Sequence, residues 1–148
     1  MTHDYTRNGV TTWFAALNRL TGPVLSMTEG RASGHPLHRH QAWRHFLKMI
    51  DRQTPKNKER HLIVDNYATG WPRATHPHPE VKAWLAKHLR FHRHSPPTHS
   101  SWLNRVERFF RDITHPRIRR GGFNRVAELQ GAINEYITVL NAKPKPFI

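Results

Sequence analysis

The stretch His61-Leu62-Ile63-Val64-Asp65-Asn66-Tyr67 decides how this chain is read. A short β-branched apolar run is the mark of a buried strand, and an acid at its C-terminal end stands where open α/β sheets bind their ligands. An ionised carboxylate there needs a partner or a cation to offset its desolvation, and Mg²⁺ suits such a position. The same spacing fits a turn-forming aspartate whose side chain accepts backbone N–H groups after the strand, so both readings stay open. A second acid, Glu107, follows 42 positions later within Ser100-Ser101-Trp102-Leu103-Asn104-Arg105-Val106-Glu107-Arg108-Phe109-Phe110. It lies at the flank of a helical apolar stripe, facing a sheet edge or paired in solvent with Arg111; its neighbours alone favour the pairing. No third acid occupies a comparable strand earlier in the chain.

Outward from that run, the sequence alternates between strand and helix signals. Residues 10–17 are β-rich and almost continuously apolar, and Thr21-Gly22-Pro23 turns the chain into a second short run, Val24 to Met27, which predicts a hairpin. From His38 the period becomes helical, with Trp43, Phe46, Leu47 and Ile50 in phase until Thr54-Pro55. After the Leu62 to Asp65 strand, the Gly-, Pro- and His-rich connection from Thr69 to His78 is loop. Pro79 opens a helix bearing Val81, Trp84, Leu85 and Leu89 on one face, and Leu89 to His94 reads as a further strand. Ser100 or Ser101 can cap a helix carrying Trp102, Val106, Phe109 and Ile113, and Asn124 a last one carrying Val126, Leu129, Ile133, Tyr136, Ile137 and Leu140. This order is that of an α/β chain without internal repeats, and the tail from Ala142 to Ile148 should lie along the surface or fray.

Composition narrows the partner. At 148 residues and 36% hydrophobic content the chain supports one domain with a modest core. Its 24 basic and 10 acidic residues leave a formal charge of +14, which favours nucleic acid, because polyphosphate rewards basic surfaces through counterion release. No segment reaches the ~18 apolar residues of a membrane span and no signal-like apolar core opens the chain, so the expected location is the cytoplasm, without membrane contact. The absence of cysteine excludes disulfides and thiolate metal sites.

Among the remaining polar residues, Glu80 and Glu128 complement helix starts, while Asp51 and Glu59 flank a loop. Histidines gather at His35, His38, His40 and His45 and again at His92, His94 and His99, yet without cysteines or an HExxH helix they are expected to face solvent or phosphate. An unrelated nuclease using these histidines for metal is the weakest reading. Basic and aromatic residues interleave from Trp102 to Arg111, and Arg117, Arg119 and Arg120 precede Gly121-Gly122 in the densest basic run. Arg108, Arg111, Arg117, Arg119 and Arg120 are candidate phosphate contacts, since guanidinium forks match phosphate oxygens; a solvated charge run is the competing reading.

The segments Leu62-Ile63-Val64-Asp65-Asn66-Tyr67-Ala68-Thr69 and Ser101 to Phe110 together resemble the second and third acidic motifs of DDE transposases, closest to the bacterial insertion-sequence relatives of mariner elements. The resemblance extends through His3-Asp4-Tyr5, Gly9-Val10-Thr11-Thr12, His40 to Asp51, Val81 to Leu85 and Asn141-Ala142-Lys143-Pro144-Lys145-Pro146-Phe147. It implies an α/β, ribonuclease-H-like mixed sheet with flanking helices, with residues 1–141 a partial catalytic domain and 142–148 a tail. It further implies that Asp65 and Glu107 hold Mg²⁺ or Mn²⁺ for DNA cleavage and strand transfer in transposition and integration, with no small-molecule cofactor. Asn66 and Asn104 match motif-adjacent positions that orient the acids or contact DNA. The family's first acid lies on the first, central strand, which this chain is expected to lack, and Asp4 matches a different position. The resemblance therefore implies a weak metal site, no activity in isolation and marginal stability. The partners implied are DNA, with self-association or a full-length transposase as further candidates; the alternative is a non-catalytic DNA-binding or transposase-interacting module.

Overall fold

The computed structural model describes residues 11–30, 39–64, 78–94, 103–114, 118 and 122–146. They form a mixed α/β structure of four strands and four helices: β1 (Thr11–Leu17), β2 (Val24–Gly30), α1 (Arg39–Gln53), β3 (Arg60–Ile63), α2 (Pro79–Lys87), β4 (Phe91–His94), α3 (Leu103–Ile113) and α4 (Val126–Ala142). Strands pair two by two, β1 with β2 and β3 with β4. The chain divides into two compact units, one of residues 1–36 and 106–148, the other of residues 37–105.

In the first unit β1 and β2 are antiparallel, with Leu17 opposite Val24 and Thr11 opposite Gly30. Alternation places Trp13, Ala15 and Leu17 against a core of Val24, Phe109, Ile133 and Ile137. Trp13 meets Phe110 edge to face at 4.7 Å, and its indole N–H donates to Ser26 Oγ at 2.7 Å, so the ring is half-buried without leaving its donor unpaired. The turn is closed by Asn18, whose Oδ1 accepts the Leu20 and Thr21 N–H groups and whose carbonyl accepts that of Gly22. Gly22 has φ 92°, a backbone state that side chains rarely tolerate.

The tail expected to lie along the surface or fray is exposed over its described residues, 142–146, and the helix end that precedes it is tied to the hairpin. Asn141, in the last turn of α4, pairs its side-chain amide with both backbone groups of Val24, each bond 2.8 Å long. Beyond the helix, the backbone of Lys145 lies so close to Gly22 that a Cβ there would overlap it. The start of α4 differs from expectation. Arg125 takes the N-cap position without a side-chain bond, and Asn124 instead donates its backbone N–H to Glu128 Oε2.

The second unit joins α1, β3, α2 and β4. Ala42, Trp43, Phe46, Leu47 and Ile50 form the buried stripe of α1, matched by Val81 and Trp84 of α2 and Phe91 of β4. α2 begins with His78 at the N-cap and Pro79 in the first turn, and its Glu80 pairs with Arg44 of α1 at 2.9 Å. It ends at Lys87, so Leu89 is 80% exposed and outside the helical face assigned to it from periodicity. β3 and β4 are parallel, with Arg60 opposite Phe91 and Ile63 opposite His94, and α2 lies in the crossover that parallel strands require. Leu62, Val64 and Arg93 line one crevice with Trp43, Leu47, Val81 and Leu85, whereas Ile63 is 56% exposed. The apolar run is thus covered on one face, where the sequence suggested a buried strand, and the strand begins at Arg60, two residues before the expected Leu62; Asp65, its expected end, lies outside the described residues.

Arg90 ties this unit together. Its guanidinium donates to Asp51 Oδ1 through Nε at 3.0 Å and Nη2 at 2.8 Å, and to the Asp51 carbonyl and Thr54 Oγ1 at the end of α1. The same side chain reaches the carbonyls of Pro55 and Lys58. Burial alone would raise the Asp51 carboxyl, but hydrogen bonds and charge from Lys56 and Arg90 outweigh it and hold the group below its usual 3.8.

Three stability results are expected. Gly22→Ala should cost about 1–2 kcal/mol from backbone conformation alone, plus the displacement of Lys145, whereas Gly131→Ala in α4, with open space around it, should gain about 0.5–1 kcal/mol; urea midpoints measure both. Because the Asp51 pKa is depressed on folding, the stability it contributes is present above pH ~4 and is lost as pH falls through the folded value. Asp51→Asn should therefore lose on the order of 2 kcal/mol at pH 7 and show a flatter acid limb in denaturation measured between pH 7 and 2.

Candidate nuclease site

The parallel pair delivers the chain toward the first candidate acid. The Val64 N–H donates to the His94 carbonyl at 3.1 Å, so the ladder continues one residue past Ile63, and Asp65 is next in sequence. This is the C-terminal end of a parallel β-α-β unit, the edge at which ligands of such sheets bind. Asp65 and Asn66 themselves lie outside the described residues.

The second acid belongs to α3. This helix forms because Phe109 and Ile113 fall one turn apart on the side that is buried, with Phe110 half-buried beside them and Thr114 bonding back to the Phe110 carbonyl. Glu107 and Asn104 are within the helix, but their side chains lie outside the described residues. Arg108 and Arg111 are exposed on α3, as phosphate contacts require, next to exposed Asp112. Arg117, Arg119 and Arg120 lie outside the described residues. Of the nine residues singled out from the sequence, the structure therefore presents two with described side chains, Arg108 and Arg111 on one helix. Ser100 and Ser101, the expected caps of α3, also fall outside the described residues.

Sequence reading missed other polar arrangements. Asp51, assigned to a loop flank, is the carboxylate that Arg90 grips, a pairing 39 positions apart that no local pattern signals. Arg93 lines the apolar crevice, and burial lowers its guanidinium below the ordinary arginine range. On the opposite face of the same two strands, His61 joins His92 and His94, although the sequence clusters grouped only the latter two. Period-two alternation on paired strands is the signal that would have found it. Among the described residues no three His, Asp or Glu side chains stand close enough as they lie to hold a metal ion. No helix among them is long and apolar enough to cross a membrane.

A family model described as DDE superfamily endonuclease matches residues 2–130, a span that contains both Asp65 and Glu107. Neither a curated protein nor a solved structure matches the chain. With 129 of its 148 residues inside that match, the chain belongs to the DDE superfamily endonucleases.

Proposed function

We propose that this chain is the catalytic portion of a DNA transposase of the insertion-sequence kind related to mariner elements, built on a ribonuclease-H-like fold, with Asp65 and Glu107 as its metal-holding acids. The observation that carries the reading is the family match across residues 2–130, which contains both acids. A parallel strand leading into Asp65 and a +14 charge support it.

The donor set fits the metal chemistry of the family. Two carboxylates are hard oxygen ligands, and Mg²⁺ or Mn²⁺ accepts one or two of them while keeping water and substrate phosphate. Bound there, such a cation would activate water against a phosphodiester and offset charge on the attacking and leaving oxygens. The chain's own residues act around that step. Asp65 and Glu107 fix the cation's place; Asn66 and Asn104 orient them or touch DNA; Arg108, Arg111, Arg117, Arg119 and Arg120 hold backbone phosphates without reading bases. Two acids fix one cation well and a second poorly, so cleavage by this chain alone is not expected.

The test is DNA binding with and without Mn²⁺, in parallel with nicking of supercoiled plasmid. Wild type should bind DNA several-fold tighter with Mn²⁺ and should not nick. Asp65→Asn and Glu107→Gln should each abolish the metal effect while leaving metal-free binding intact. Raising salt from about 50 to 200 mM should weaken binding roughly 10²–10³-fold if about five arginines contact phosphate. A DNA affinity indifferent to Mn²⁺ and to both acids would instead establish the non-catalytic DNA-binding reading, which the charge alone also supports. Nicking that vanishes in both variants would uphold the acids and refute the inactivity.

A further inference from the structure

The outer face of the β3–β4 pair carries a cluster of imidazoles. Parallel registration sets His61 beside His92 and Ile63 beside His94, and alternation sends all four side chains to the face away from α1 and α2. All four residues are exposed. His61 stacks between its neighbours, 4.9 Å from the His92 ring at 21° and 5.2 Å from the His94 ring at 25°. His61 Nδ1 and His94 Nε2 lie 2.9 Å apart, whereas His92 Nε2 is engaged by Glu59 Oε2 at 2.5 Å.

We propose that His61 and His94 form a bidentate site for a late first-row divalent cation, Cu²⁺ foremost, then Ni²⁺ and Zn²⁺. Two nitrogens bound at right angles to a metal, each at about 2.0–2.1 Å, stand about 2.9 Å apart, which is the separation found here. The contact between the two rings requires at least one of the facing nitrogens to be unprotonated, and that lone pair is what a metal takes up. Imidazole pairs select the late transition metals over Mg²⁺, and Cu²⁺ heads the affinity order. Its tetragonal geometry accepts two cis nitrogens with solvent completing the coordination. Small rotations of two exposed side chains bring both lone pairs onto one metal, while the strand ladder keeps their backbones fixed. Two protein donors are consistent with the lack of any three-residue cluster among the described residues. The Glu59 to His92 pair borders the site.

The experiment titrates the full chain with CuCl₂ at neutral pH, following binding by calorimetry and coordination by electron paramagnetic resonance. One equivalent should bind at least tenfold more tightly than copper taken up by other histidines, and its spectrum should show two coupled nitrogens. His61→Gln and His94→Gln should each weaken that equivalent tenfold or more and leave one coupled nitrogen. Asp65→Asn, Glu107→Gln and excess Mg²⁺ should leave it unchanged. A wild-type spectrum with fewer than two nitrogens overturns the proposal without recourse to any variant. Binding insensitive to both histidine changes, or lost in the acid variants, overturns it as well.

Discussion

The second unit depends on one guanidinium. Arg90 precedes β4, yet its side chain ends among the last carbonyls of α1 and the loop that follows, so a single planar group joins the end of a helix to the start of a strand. Its backbone carbonyl accepts the Arg60 N–H at 2.6 Å, which begins the β3–β4 ladder from the same residue. The side chain is only 14% exposed and Asp51 only 16%, so the fork operates where water screens it little. Orphan carbonyls at a helix C-terminus favour a cation, and Arg90 supplies it together with the pairing for Asp51. Removing this group would leave the half-buried Asp51 carboxylate with Lys56 alone and several carbonyls without this donor. It would also release the end of the strand pair opposite the one that leads into Asp65.

The first unit meets a similar problem with an amide. Val24 begins β2 opposite Leu17, and its backbone groups would otherwise face an unpaired edge. Asn141 presents donor and acceptor together, as a neighbouring strand would, from the last turn of α4. That bond pair, the buried Ile133 and Ile137, and the Gly22 to Lys145 approach all draw the end of α4 onto the hairpin. The Asn-Ala-Lys-Pro-Lys-Pro-Phe segment of the sequence resemblance thus has a structural role in its described part. It lies beyond the residue at which the family match ends.

Periodic features were legible in the sequence and pairwise ones were not. The stripes of α1 and α4, the Thr21-Gly22-Pro23 turn and the start of α2 at Pro79 follow from spacing, glycine and proline chemistry, and the structure has them. Leu89 misled because apolar spacing continues past Lys87, although the cap at His88 ends the helix there. Ile63 misled because an apolar β-branched run says nothing about whether both faces are covered. Asp51 with Arg90, and Asn141 with Val24, join residues 39 and 117 positions apart, and their partners are set by tertiary packing that no window detects. The candidate acids were found through resemblance rather than periodicity, because a lone aspartate after a strand and a lone glutamate on a helix flank each have an ordinary explanation.

β3 brings these threads together in four residues. One face, through Leu62, meets the apolar side chains of both helices and holds the strand; the other, through His61, carries imidazole into solvent; the end leads into a carboxylate. These three surfaces call for different chemistry. Apolar burial fixes the backbone, and a fixed backbone is what a pair of exposed histidines needs if two cross-strand nitrogens are to keep a constant spacing. The proposed oxygen donor that follows β3 in sequence and the proposed nitrogen pair of β3 and β4 would then sort cations by hardness, Mg²⁺ or Mn²⁺ at the former and late transition metals at the latter. The two proposed sites share a scaffold without sharing a ligand, so loss of the strand would abolish both, whereas loss of either donor set would leave the other standing.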